Sequence, residues 1–285
     1  MGWFYLTLIY LIFMVTAALV NKKTLKVNGI DELVFGSSVQ LVTGILCLIL
    51  AFITGWSFTF NYKSILLISA MVATYTVAVS CFYIGLKKID LSEETIISAT
   101  GAVWSLILGV IVLNESTELS KFAGVMIILL ANGVLFWGES ILRFGKYEKI
   151  IILSAVFYAL GAIWDKQLSM YGNALSYVAV SFGLTGIFML LLYSNRTYSA
   201  FKGTFRLIGY WKGVLANGFL YSMAFWALFT AYQSGGEVSR IFPITLATAV
   251  LVPLFGIIFL KEPKGMYRKT IATAILVIGI LLIGS

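Results

Sequence analysis

Thr76, Ser80 and Tyr83 stand at i, i+4 and i+7, Asn217 and Tyr221 at i and i+4, and Ser98 and Ser105 flank Gly101. On a helix each set shares one face, a row of hydroxyl or amide groups able to hydrogen-bond a polar solute. Gln40, Asn132, Ser181 and Thr185 add donors and acceptors, while Tyr75, Tyr158, Trp104, Trp164 and Trp226 offer rings to shape or stack in a pocket. The charged groups Lys22, Glu93, Glu94, Asp165, Lys166 and Arg240 stand at the ends of apolar stretches, as candidates for holding solute or forming a gate. No His is present, which removes the commonest general base, neutral metal ligand and physiological pH switch. Cys47 and Cys81 lie inside apolar runs, so neither a disulfide framework nor a zinc site is expected. No phosphate-binding GxxxxGK[ST] loop occurs, and ATP-driven pumping by this chain has no support. The inventory is that of a binding site: we expect no enzyme activity, no cofactor and no metal.

The elements that position these groups follow from composition. Of the 285 residues 60% are hydrophobic and 11% charged, against roughly 25% charged in soluble domains, and the polar residues are too few to cover a soluble surface. Ten apolar runs, near 3–21, 33–54, 64–86, 95–114, 121–138, 149–167, 174–194, 213–234, 241–260 and 267–285, approach the roughly 17–25 residues that a helix needs to cross a bilayer core. Backbone polar groups must be satisfied internally in lipid, and this length suits helices rather than barrel strands. The expected fold class is all-α integral membrane with ten transmembrane helices. The first run has no basic leader and no small-residue cleavage site, so it reads as a span rather than a signal peptide.

Sixteen Lys/Arg fall in the connections after the odd-numbered runs and four, Lys63, Lys121, Lys166 and Arg240, after the even-numbered ones. Short cytoplasmic loops retain basic residues, so the odd connections are expected in the cytoplasm of a cell-membrane protein, with both termini outside. The net charge of +8 is thus a topology signal. Its spread over five short loops does not make a nucleic-acid footprint, and membrane lipid is the expected surrounding.

The sequence also repeats. The stretch from Leu91 to Glu115 aligns without a gap on Val238 to Glu262, matching Ser92 with Ser239, Gly109 with Gly256 and Glu115 with Glu262; Phe13 onward aligns on Phe157, pairing Lys22 with Lys166, and Thr43-Gly44-Ile45 matches Thr185-Gly186-Ile187. The chain divides into 1–140 and 141–285, five runs each. An odd number of crossings per unit inserts the second unit upside down, the inverted-repeat arrangement of secondary transporters. The alignment sets Thr245 opposite Ser98 and Thr248 opposite Gly101, so spans four and nine offer matched hydroxyls near mid-membrane. All three prolines, Pro243, Pro253 and Pro263, lie in or just after span nine; Pro253, interior, is expected to kink it.

Two five-helix units, each with a fourth helix ending in Leu-x-Glu (Leu113 to Glu115, Leu260 to Glu262) and a first closing on Asn21-Lys22 or Asp165-Lys166, resemble the EamA-type drug/metabolite transporter superfamily over almost the whole chain. Members are often described with both termini cytoplasmic, opposite to the charge count here. The resemblance implies export of amino acids or related compounds, or exchange of phosphorylated metabolites or nucleotide sugars. The expected function is secondary transport of a small organic metabolite by alternating access, as a monomer or homodimer, with a coupling ion or counter-substrate; a non-transporting scaffold or accessory subunit is the rival class. Substrate contacts are expected at Gln40, Tyr75, Thr76, Ser80, Ser98, Trp164, Asn217, Tyr221, Thr245 and Thr248, with gate or charge roles for Lys22, Glu94, Lys166 and Arg240. Glu115 and Glu262 are expected to tether loops. With no deeply buried carboxylate or His foreseen, no proton relay is expected.

Overall fold

Where the apolar runs begin, short polar residues stop the chain from fraying. In the computed structural model, which describes residues 2–89, 94, 97–135, 145–248, 250–251 and 266–284, Asp31 accepts the backbone N–H groups of Leu33 and Val34 at 3.0 and 3.1 Å. Asn61 and Ser64 form a reciprocal capping box at 2.8 Å each way, and Asn173 accepts from Ser176 at 2.9 Å. Each satisfies donors that a helix start leaves orphaned.

The helices are α1 (Gly2–Leu25), α2 (Glu32–Thr54), α3 (Tyr62–Lys88), α4 (Gly101–Leu113), α5 (Leu119–Leu135), α6 (Lys146–Leu168), α7 (Ala174–Leu192), α8 (Ser194–Lys202), α9 (Ile208–Gln233), α10 (Val238–Thr245) and α11 (Met266–Gly284). Six of them, α1, α2, α3, α6, α7 and α9, are long and apolar enough to cross a membrane, and shorter apolar helical stretches occupy 97–113, 119–131 and 274–283. The protein is therefore a multi-pass helical membrane protein. Large apolar side chains such as Ile12, Phe52, Ile53, Leu66 and Ile111 point outward, as lipid requires. The sequence reading treated 194–212 as plain connection; the structure inserts the short helix α8 there.

Packing follows a two-fold exchange of the repeats. The leading helix pairs are α2 with α7, α1 with α9, α3 with α6 and α5 with α11. Counted as spans these are 2·7, 1·8, 3·6 and 5·10, a set that maps onto itself when the first five runs trade places with the last five. A side chain on Gly44 would run into the backbone of Gly183, and one on Gly186 into that of Leu41: α2 and α7 cross backbone to backbone, which only small residues permit. One core gathers α1–α3, α6, α7 and α9 around Phe35, Tyr83, Tyr177 and Phe229. A second gathers α4, α5, α10 and α11 around Leu106, Ile128, Ile244 and Leu276.

Among the described residues, the first connection meets the seventh and the second meets the sixth. Thr204 donates to Gly29 O at 2.8 Å, joining the first and seventh connections, while Thr59 N donates to Tyr171 O at 2.8 Å and Asn173 N to Ser57 O at 2.9 Å, joining the second and sixth. We call these the odd and the even end. Glu93, Trp137, Pro253, Glu262, Pro263 and the side chain of Asn132 lie outside the described residues, so the expected kink at Pro253 falls outside the account.

Candidate functional site

Spans four and nine are each interrupted, at matched positions. In span four, Thr100 N donates to Ile97 O and Val103 N to Thr100 O, both at 3.1 Å; in span nine, Ala247 N donates to Ile244 O at 3.0 Å and Val250 N to Ala247 O at 3.1 Å. Residues 97, 100 and 103 align with 244, 247 and 250, so one i→i+3 break occurs twice. Pro243, inside α10, contributes to the second by removing an N–H from the ladder. The first contains no proline, and Thr100 Oγ1 there bonds Ile97 O at 2.7 Å, the local side-chain competition that loosens helices.

Between the repeats, beside these breaks, lies a cavity of about 210 Å³. Its wall includes Gln40, Tyr75, Ser98, Tyr221, Thr245 and Thr248 of the residues expected from sequence, together with Glu94. Thr185 on the same wall is buried and its hydroxyl has no hydrogen-bond partner among the described residues, a group left free for a solute. Thr245 and Thr248 bond carbonyls of their own helix, Phe242 O at 2.6 Å and Thr245 O at 3.1 Å.

Four expected contacts sit off the cavity wall, three of them held by neighbouring groups. Ser80 donates to Thr76 O at 2.6 Å and accepts from Tyr193 at 2.9 Å; Trp164 donates to Thr74 at 3.2 Å; Asn217 donates to Gly213 O at 2.9 Å. Thr76 is buried without a partner for its hydroxyl, but outside the cavity wall. Trp104 and Trp226 face outward, 40% and 39% exposed, which corrects their reading as cavity rings.

The largest departure concerns charge. Asp165 and Glu94 are 2% and 3% exposed and both line the cavity, correcting the expectation that no carboxyl is deeply buried. Their positions were legible; their depth was not, since each sits where a run ends and reads as interfacial. Asp165 accepts the hydroxyl of Tyr177 at 2.5 Å and that of Tyr75. Its repeat mate Asn21, equally buried, donates to the Tyr221 hydroxyl at 2.9 Å and accepts from Tyr83 at 3.4 Å. Glu94 accepts from Ser98 at 2.5 Å and lies within electrostatic reach of Lys22.

The paired lysines act alike. Lys22 Nζ donates to Leu86 O at 3.0 Å and Ile89 O at 3.2 Å, at the end of α3; Lys166 Nζ donates to Tyr232 O at 2.8 Å and Gly236 O at 2.6 Å, at and beyond the end of α9. Each satisfies orphan carbonyls at the negative pole of the third long helix of its own repeat. Arg240 lies off the cavity: it pairs with Glu237 at 2.9 Å and with Glu118, and donates to Ile283 O at 2.9 Å. In the same cluster Lys121, fully buried, meets Glu237 at 2.9 Å, Ser116 O at 2.6 Å and Ser239 at 2.8 Å. Burial would raise the Glu237 carboxyl, but hydrogen bonds from Lys121, the Ser116 backbone and Arg240 outweigh it and hold it down at about 2.

Glu115 accepts Val238 N at 2.6 Å, Ser239 N at 2.8 Å and the Ser239 hydroxyl. It thereby caps α10 from the other repeat, where the sequence led to a cap or tether in the loop before the fifth helix. Asn114, in the left-handed conformation at φ 53°, turns the chain so that Glu115 reaches there. No group of three or more His, Cys, Asp or Glu that could hold a metal occurs among the described residues.

The EamA-like transporter family model matches the chain twice, over residues 1–137 and 146–285. The chain belongs to the EamA-like transporter family. The two matches coincide with the repeats read from sequence. A protein of known crystal structure is similar at a TM-score of 0.76 over 98% of this chain and 95% of that one, at 14% identity, a likeness of fold. No curated protein sequence matches it. As an EamA-like chain it is a membrane transporter of the drug/metabolite type, and one of the matched breaks lies in each of the two matched stretches.

Proposed function

We propose that this EamA-like protein is a secondary transporter that moves a small organic metabolite across the cell membrane by alternating access, its ten spans forming two inverted five-helix repeats. One observation carries the reading: a cavity of about 210 Å³ lies between the repeats, beside the same backbone break in spans four and nine. Discontinuous helices at a repeat interface supply both unsatisfied backbone groups for a solute and points of flexure. Rocking of one repeat against the other about these breaks would open the odd and even ends in turn. The Lys22 and Lys166 bonds, one set at each end, each tie helix ends within one repeat and so hold that repeat together while it moves. The charge count supports a cytoplasmic odd end.

The test is a thermal-shift screen of the purified protein against amines, amino acids, phosphosugars and nucleotide sugars, since a ligand that binds only the native state stabilises it. Uptake of the best stabiliser into proteoliposomes follows. Saturable flux without ATP supports the proposal. A protein that moves none of them, yet copurifies stoichiometrically with another membrane protein, is an accessory subunit instead.

A further inference from the structure

We infer that the cavity selects an organic amine: a solute with a cationic ammonium on an aromatic or apolar body and no acidic group, with Asp165 as the residue that pairs with the ammonium. The inference rests on the transporter reading above and narrows it to one substrate chemistry.

Three observations converge on it. The cavity wall contains two carboxyl groups, Glu94 and Asp165, and no Lys or Arg among the described residues. A phosphorylated or carboxylated solute entering it would lose its hydration without gaining a countercharge, which is the costly way to bury an ion. Second, Asp165 has no cation within ion-pair distance among the described residues: both of its oxygens are occupied by tyrosine hydroxyls, and the adjacent Lys166 turns its ammonium to the carbonyls of Tyr232 and Gly236. A carboxylate 2% exposed in the membrane calls for a partner of positive charge, and a solute ammonium is that partner. Glu94 differs, since Lys22 is close enough to offset its charge. Third, nine of the 25 wall residues are Tyr or Phe, among them Tyr10, Tyr75, Tyr158 and Tyr232. Ring faces attract ammonium groups and stack with aromatic bodies, and a desolvated cavity strengthens both.

The pocket also explains why the carboxyl sits between two phenols. The hydroxyls of Tyr75 and Tyr177, each donating to one Asp165 oxygen, fix the carboxyl plane, so that lone pairs not used by the hydroxyls face the solute in one orientation. Thr185, with its unpartnered hydroxyl, lies eight residues beyond Tyr177 on α7 and offers a polar contact to the body of the solute rather than to its ammonium.

Binding to the full-length protein in detergent is measured by isothermal titration with 2-phenylethylamine, its neutral isostere 2-phenylethanol, phenylalanine and glucose 6-phosphate. The expected order places 2-phenylethylamine at least about tenfold tighter than each of the others. Asp165→Asn is expected to remove that preference, and Asp165→Glu, which keeps the charge, to retain most of it; Glu94→Gln is expected to weaken the amine less than Asp165→Asn does. Melting temperature and gel-filtration profile check that each variant folds, and if Asp165→Asn does not fold, Tyr177→Phe, which frees one carboxyl oxygen from its hydroxyl, is read for a changed ratio of amine to alcohol. Equal binding of amine and alcohol, tighter binding of phenylalanine or glucose 6-phosphate, an Asp165→Asn variant with unchanged amine affinity, or an unchanged ratio in Tyr177→Phe overturns the inference. Saturable proteoliposome uptake of any other solute would leave the transporter reading standing while this one fails.

Discussion

Asn21-Lys22 and Asp165-Lys166 occupy equivalent positions at opposite ends of one cavity, yet they furnish it differently. At the odd end the residue before the lysine is a neutral amide and the buried acid is Glu94, near Lys22, while the ion pairs around them are more exposed: Arg196, half exposed, with Asp31 and Glu32, and Lys87 with Glu32. At the even end the residue before the lysine is itself a buried acid, and Lys121, Glu237 and Arg240 form a network with little solvent access. The backbone scaffold is duplicated while the charges are not. A repeat supplies symmetric hinges; divergence at a few positions then makes one end the polar, firmly tied one.

The contrast breaks first at Asn21. Asn21→Asp makes the two sites alike: a second carboxyl beside Tyr221 and near Glu94 is expected to cost about 2–3 kcal/mol at neutral pH, within the several kcal/mol that an unpaired buried ion costs, and to recover in acid. Denaturant titration at two pH values measures it. Next, Lys121→Met removes charge-assisted bonds to Glu237, Ser116 and Ser239 while Glu237 keeps Arg240 and is expected to cost about 1–3 kcal/mol, read as a fall in melting temperature. A loss comparable with that of an exposed pair would erase the distinction between the ends.

The two lysines sharpen the comparison at opposite ends. Lys166→Met should loosen the contact of α6 with the end of α9 at the even end and Lys22→Met that of α1 with the end of α3 at the odd end, each by about 2 kcal/mol for two lost charge-assisted bonds. Labelling of a cysteine in the cavity from each side reports which end loosens. Acid should loosen both ends, the even end more: at the odd end burial raises the Glu32 carboxyl, but its hydrogen bond from Lys87 and the nearby charges outweigh this and hold it below the usual range. Because the Glu237 carboxyl is held at about 2 in the fold against about 4.3 when unfolded, its contribution is present above pH 4.3 and disappears as pH falls toward 2. Glu237→Gln should flatten stability over that window. Arg196→Gln, smallest, should change stability by less than about 1 kcal/mol.

Much of this architecture is written plainly in the chain. Lipid demands long apolar helices, and the matched Gly44/Gly186 and Lys22/Lys166 pairs declare the duplication before any coordinates. The helix crossing at Gly44 and the capping by Glu115 follow from residue types whose purpose is local. The site is less legible. Ser80, Trp164 and Asn217 share polarity and spacing with Ser98 and Tyr221, yet a one-helix rotation decides whether such a group meets the cavity or a neighbouring carbonyl. Asp165 shows the reverse failure: three residues from the end of α6 it looks interfacial, and only packing by Tyr75 and Tyr177 from α3 and α7 takes it out of water.

The central claim is that one cavity between the repeats is reached alternately from both ends. With Cys47→Ala and Cys81→Ala as background, Ser98→Cys and Thr245→Cys place single thiols on the cavity wall in the two interrupted helices. An impermeant thiol reagent, applied in turn to each face of oriented vesicles, reads their accessibility. The account predicts that both thiols react from both faces and that a bound stabilising solute slows both reactions. Reaction of both thiols from one and the same face under every condition, untouched by solute, would contradict it.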